Sequence, residues 1–260
     1  MAALNIAHRG GAQLMPENTL AAFADALARG CDGAELDVQL SADGVVVVHH
    51  DYRLNPGYCR GPDGHWLSGE TPRIKDLTLA QLQAYDIGRP APGGDYAYAH
   101  PGVIPADGQR IPALADVVAL IRARPFRLFV ELKSNAGPDS ADPEALADAA
   151  LAVCGAHLDR IVFVGFDWRG LVRVRQRAPK ACCWFTTDRL RGDYRPVLDA
   201  IKAAGGQGWF PHFADATGLA IAEAHARRLK IGAWTVNDPA DMRRLAELDA
   251  ICTDRPDLAG

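Results

Sequence analysis

The sequence predicts an α/β protein: a (β/α)8 TIM barrel, distorted between its second and third strands, with a small lobe inserted after the third. Three observations lead there. Eight short apolar runs, centred near residues 6, 36, 47, 129, 163, 184, 209 and 234, mostly alternate with stretches of helical periodicity. The chain has 260 residues, 48% of them hydrophobic, a size at which such barrels commonly form one domain. Between residues 51 and 110 the alternation stops and turn-forming residues take over. The expected organisation is a single barrel domain over 1–260, with the 51–110 lobe lying over the strand ends.

Each element has its own reason. Residues 4–8 form a short buried strand that the Gly10-Gly11 pair ends. Pro16, Glu17 and Asn18 follow, with Asn18 placed to cap a helix carrying Leu20, Phe23, Ala24 and Leu27; Gly30 closes it. Residues 32–40 make the second strand, and Ala42-Asp43-Gly44 turns tightly into 45–50. That link is too short for a helix, so a plain βαβ unit is broken there. A simple hairpin about Ala42 would set Glu35 across from His50, although a barrel path could bring the same ends together differently. In the lobe, 77–85 is helix-like with Thr78 as its cap. Its aromatics Tyr58, Trp66, Tyr96 and Tyr98 suit either a substrate mouth or the lobe's own small core. Beyond Pro112 the pattern is regular: helices over 113–123, 143–156, 169–178, 196–204, 217–229 and 239–248, and strands over 127–132, 160–166, 182–186, 208–211 and 231–236.

Composition narrows the function. Net charge is −4 with acids and bases interspersed, and no basic stripe of the kind nucleic acid requires is present. The first residues, MAALNIAHRG, lack the features of a secretory signal, and no apolar run reaches membrane-spanning length, so no stable membrane anchor is expected. Six cysteines show no CxxC and no paired zinc spacing; reduced thiols in a cytoplasmic protein are the simplest reading. Nothing in the sequence specifies an oligomeric state.

The chemistry gathers at strand ends. Glu35 and Asp37 are two apart in an apolar strand, so they share a face, and two carboxylates aimed at one spot repel unless a cation or proton lies between them. Glu131 and Lys133 repeat the spacing at the end of the strand over 127–132. Three inward carboxylates make an all-oxygen set suited to Mg2+ or Ca2+ rather than zinc. Arg9 offers a planar fork for phosphate oxygens, and Lys133 a point charge, unless it merely pairs with Glu131.

His8-Arg9-Gly10, then Pro16-Glu17-Asn18-Thr19, Glu35-x-Asp37 and a valine run into His50-Asp51 resemble the glycerophosphodiester phosphodiesterase family in order and approximate spacing. More loosely, so do Gly232 to Asn237 and the closing Thr253-Asp254-Arg255-Pro256. Where that family often has Ser-Phe after the fifth strand, this chain has Gly165-Phe166. The resemblance implies the same barrel, a small-molecule glycerophosphodiester substrate, and catalytic roles for His8 and His50, one as acid and one as base. His49 and His50 face opposite sides of a strand, and His50 matches the family's position next to Asp51. Glu17 and Asn18 are expected to position Arg9 or reach a metal-bound water, with helix capping the other reading for Asn18, and Trp234 to wall the glycerol backbone or pack in the core. The expected reaction is metal-dependent hydrolysis to sn-glycerol 3-phosphate and an alcohol. A lysophospholipid or cyclic phosphodiester substrate, or a non-catalytic binding barrel, are the alternatives.

Overall fold

A computed structural model describes residues 2–121 and 125–259. Eight parallel strands close into a barrel: β1 (Leu4–Ala7), β2 (Gly33–Leu40), β4 (Arg127–Leu132), β5 (Ile161–Gly165), β6 (Cys182–Thr187), β7 (Gly208–Pro211), β8 (Lys230–Ala233) and β9 (Ala250–Thr253). β9 pairs with β1, and β1 with β2, which completes the ring. The short β3 (Val46–Val48) is no stave of it; it runs antiparallel on the edge of β2.

Two expectations change here. The run near residue 47 is the extra strand rather than the third stave, and the eighth stave is Ala250–Thr253, four residues that the expected helix over 239–248 nearly abuts. That helix stops at Arg244, so the chain has room to enter β9. The hairpin is also shifted by one residue from a turn about Ala42. Val38 pairs with Val48 and Leu40 with Val46, and the His49 amide donates to the Asp37 carbonyl at 3.0 Å, so His50 is not the cross-strand partner of Glu35.

Helices α1 (Leu20–Ala28), α4 (Leu114–Leu120), α5 (Pro143–Cys154), α6 (Trp168–Arg177), α7 (Arg195–Ala203), α8 (Gly218–Ala226) and α9 (Pro239–Arg244) surround the barrel. The end expected for α4 at Ala123 lies outside the described residues. Strand alternation divides the core in two. Ala34, Leu36 and Val38 of β2 and Leu128, Val130 and Leu132 of β4 pack outward beneath the helices. Ile6, Phe129, Val162, Val164, Trp184, Phe210, Ala250 and Cys252 fill the barrel interior. Gly208 makes the interior possible, since a Cβ there would stand 2.5 Å from the Trp184 indole.

That interior layer explains where the site lies. Two residues past Ile6 comes His8, and two past Phe129 comes Glu131. Two past Val164 comes Phe166, and two past Cys252 comes Asp254. On three of these staves the next inward position, at the C-terminal end, is therefore a chemical group rather than a packing one, and on the fourth it is an aromatic wall.

Between β3 and α4 the chain forms the lobe, with short helices α2 (Leu79–Leu82) and α3 (Asp95–Ala99). Val47, Leu54, Tyr58, Cys59, Ile74, Leu82, Ile87 and Ile111 make its core. Thr78 caps α2 through a reciprocal pair of bonds with Gln81. Of the lobe aromatics, Tyr58 packs inside, Trp66 lies beside the Arg60 guanidinium and Tyr98 is exposed.

Candidate active site

A cavity of about 230 Å³ opens at the C-terminal ends of the staves, walled by His8, Arg9, Glu35, His50, Glu131 and Lys133 on one side and Phe166, Phe210 and Trp234 on the other. Ligand oxygens of Glu35, Asp37 and Glu131 lie within 4.8 Å of one another. Glu35 and Asp37 are buried, and Glu35 Oε1 has no hydrogen-bond partner among the described residues. Burial, then Asp37 and Glu131, push the Glu35 carboxyl well above the usual range. Burial would raise Asp37 as well, but His50, Arg9, Lys133 and the Asn18 amide outweigh it and hold that carboxyl low.

The cations are fixed by these acids. Arg9 sits in the left-handed region (φ 51°), just before Gly10 and Gly11, and its amide donates to Glu35 Oε2 at 3.2 Å. Its guanidinium reaches Glu17 Oε1 at 3.0 Å and Asp37 Oδ2 at 3.3 Å. Glu17 in turn accepts from the Tyr96 hydroxyl of α3 at 2.5 Å, which ties the lobe to Arg9. Lys133 Nζ lies 2.9 Å from Glu131 and 3.7 Å from Asp37; burial opposes its charge, but these acids hold its pKa above the ordinary lysine value.

Asn18 does not cap the helix. Thr19 does, its hydroxyl accepting from the Ala22 amide, while Asn18 adopts φ 56° and clasps Asp37, donating to its carboxylate at 2.9 Å and accepting from its amide. The left-handed backbone turns the amide inward, away from the helix start.

Each cavity histidine is held through Nδ1. His8 Nδ1 is 2.6 Å from Asp254 Oδ1, and Asn237 donates to the other Asp254 oxygen at 2.7 Å. Burial would raise Asp254, yet His8, Asn237 and Arg9 bring it down to about 2. His50 Nδ1 is 2.7 Å from Asp51 Oδ1, with Asn55 bound to the far oxygen of Asp51. Both imidazoles thereby leave Nε2 as the free nitrogen, and His8 Nε2 stands 3.8 Å from Glu35. His49 turns the other way, buried against Tyr58 in the lobe. Trp234 donates its indole N–H to the Phe210 carbonyl and meets Phe166 edge to face at 5.2 Å. At Gly165, where the resemblance would put serine, the amide donates to Thr186 Oγ1.

The chain that carries this site is similar, over nearly its whole length, to known proteins. The model of the glycerophosphoryl diester phosphodiesterase family aligns with residues 8–258. The chain belongs to that family. A glycerophosphodiester phosphodiesterase of Caldanaerobacter subterraneus subsp. tengcongensis is 30% identical over 259 residues, 99% of this chain and 96% of the relative. The crystal structure of a candidate glycerophosphoryl diester phosphodiesterase from Silicibacter pomeroyi DSS-3 superposes with a TM-score of 0.92 at 33% identity, covering 99% of this chain and 92% of that one. An Oleispira antarctica phosphodiesterase, solved with its product sn-glycerol-3-phosphate, is 25% identical with a TM-score of 0.77, over 98% of this chain and 94% of that one. Family membership makes the protein a phosphodiester hydrolase.

Several groups at this family site escape a reading of the sequence. Asp254 and Asp51 hold the cavity histidines, Asn237 and Asn55 hold those two acids, and Tyr96 holds Glu17, which holds Arg9. Asp51, Asp254 and Asn237 each stand inside one of the motifs above, so a signal for them exists; Tyr96 is legible as a lobe aromatic, but its bond to Glu17 is not. A larger cavity, about 560 Å³, opens at the opposite end of the barrel around Leu4, Arg127, Cys182 and Lys230. There Asp249 pairs with Lys230 and His225. No helix among the described residues is long and apolar enough to cross a membrane.

Proposed function

We propose that the protein hydrolyses glycerophosphodiesters to sn-glycerol 3-phosphate and an alcohol, with Glu35, Asp37 and Glu131 holding Mg2+ or Ca2+ and with His8 and His50 exchanging the protons. The observation that carries this reading is the pair of imidazoles, each anchored at Nδ1 by a carboxylate, on the wall of one cavity with three clustered acids.

The acids fit a hard divalent cation. All three offer oxygen only, their ligand oxygens lie within 4.8 Å of one another, and the buried Glu35 Oε1 has no hydrogen-bond partner among the described residues. A bound cation supplies charge neutralisation to the phosphoryl oxygens.

The chain's own groups do the rest. Arg9, steadied by Glu17, presents donors to phosphate oxygens, and Lys133 adds a point charge. Trp234 and Phe166 give an apolar wall for the glycerol backbone. Because Asp254 and Asp51 are ionised acceptors, Nδ1 of each histidine carries a proton, which leaves Nε2 to exchange one. One Nε2 takes the proton of the attacking hydroxyl while the other delivers a proton to the departing alkoxide. Attack by the substrate's own glycerol hydroxyl, giving a cyclic phosphate that water then opens, and direct attack by water use the same two nitrogens. The six cysteines, all free thiols, suit a reducing compartment such as the cytoplasm.

The test is glycerol 3-phosphate release from glycerophosphocholine with and without a chelator. Turnover that chelation abolishes and added Mg2+ or Ca2+ restores supports the reading. Tight binding without turnover would replace it with a non-catalytic binding role.

A further inference from the structure

A second cavity, about 280 Å³, adjoins the first and shares Glu131, Lys133 and Phe166 with it. Lys133 stands on the boundary between the two, so a phosphate held there would send one ester arm to each side. The arms would meet different chemistry. On the first side stand Trp234 and Phe210, with no acid beyond the clustered carboxylates. On the second stand Tyr52, Ser134, Asn135 and Asp188.

Outside the site already described, the second cavity carries one negative charge. Glu131 and Lys133 pair with each other at 2.9 Å and belong to that first site. Ser134 spends its hydroxyl on Asp167, which Arg169 already neutralises. Asp188, at the end of β6, is left as a carboxylate with no ion-pair or hydrogen-bond partner among the described residues. Arg189 and Arg191 follow it in the loop but do not line the cavity. Burial keeps the Tyr52 phenol neutral, and the Phe166 ring already has one cation, Lys133 Nζ, 6.0 Å from its centroid. Two aromatic rings and one uncompensated carboxylate are the elements that hold an organic ammonium group, by attraction to the ring faces plus charge.

We propose that this side cavity receives the alcohol arm of the substrate and selects a cationic one, choline or ethanolamine in type, with Asp188 as the specificity-determining carboxylate. The inference rests on the hydrolase reading above and deepens it. The glycerol arm then lies against Trp234 on the other side, and the neutral arms of polyol esters gain nothing from Asp188.

The experiment compares kcat/KM for glycerophosphocholine and glycerophosphoglycerol in the wild type, Asp188→Asn and Asp188→Lys. The wild type favours the choline ester. Asp188 is exposed and the rings are untouched by the change, so the choline-to-glycerol ratio falls roughly two- to fivefold in Asp188→Asn, the span of a charge pair at an exposed carboxylate, and falls further in Asp188→Lys. Tetramethylammonium should also inhibit the wild type competitively, and Asp188→Lys more weakly. A ratio that stays the same across all three proteins would overturn the inference while leaving hydrolysis standing. Release from neither ester would strike the hydrolase reading, and this inference with it.

Discussion

Asp254→Asn is the substitution whose outcome the geometry specifies most closely. Asn237 Oδ1 accepts from the Asp254 amide at 2.9 Å and from Thr253 Oγ1 at 3.1 Å, so its Nδ2 must be the group that donates to the Asp254 side chain. An asparagine at 254 would therefore turn its oxygen toward Asn237 and its NH2 toward His8. That NH2 donates to His8 Nδ1, where the wild-type carboxylate accepts. The neutral imidazole is forced into the tautomer with its proton on Nε2, which can neither take a proton from a nucleophile nor pass one on as an imidazolium would. Shape and packing are nearly unchanged; only the proton's address moves. Losing one general acid–base group costs about 10²- to 10⁴-fold in kcat. The assay is glycerol 3-phosphate release under saturating substrate, with thermal unfolding to check the fold and KM to check binding. A kcat within about threefold of wild type, with the fold intact, would refute the assignment of proton exchange to His8 Nε2.

The same carboxylate has a stability signature. Its pKa is about 2 in the fold against an ordinary 3.8, so its contribution is present above pH 3.8 and lost as pH falls toward 2; it amounts to about 2 kcal/mol. Urea unfolding of wild type and Asp254→Asn should show a gap that closes across that window, and a gap independent of pH would count against it. His50→Ala should lower kcat by orders of magnitude with the fold retained; a near-normal rate would point to His49, despite its burial against Tyr58. Glu35→Gln should weaken the divalent-cation dependence of turnover well before it weakens folding, and an unchanged metal titration would remove Glu35 from the ligand set. Tyr96→Phe deletes the hydroxyl that braces Glu17, and so Arg9, and should raise KM up to about tenfold with kcat little changed. An unaltered KM would mean that Glu17 holds the arginine unaided.

What the sequence discloses depends on range. Glu35 with Asp37, and Glu131 with Lys133, are legible because a two-residue spacing in a strand implies a shared face, a purely local rule. The alternation of strands and helices after Pro112 is legible for the same reason. β9 is not, because three apolar residues and a threonine right after a helix look like that helix's last turn, and only closure onto β1 makes them a strand. The count of eight strands therefore included β3, whose valines pair on the edge of β2. Asn18 looks like a cap by residue type, and its left-handed backbone, which instead aims it at Asp37, is a tertiary outcome. Asp254 lies 246 residues from His8 in the chain, and their meeting is a consequence of the closed ring. Local pattern thus supplied the acids and the histidines, and topology supplied the groups that hold them.

The most direct test is a crystal of the protein soaked with Mn2+ and glycerol 3-phosphate, with data collected at the manganese edge. The account predicts one anomalous peak about 2.0–2.6 Å from oxygens of Glu35, Asp37 and Glu131, with the phosphate beside it and His8 and His50 Nε2 within hydrogen-bonding reach of its oxygens. A peak elsewhere, or a phosphate seated away from both imidazoles, would contradict it.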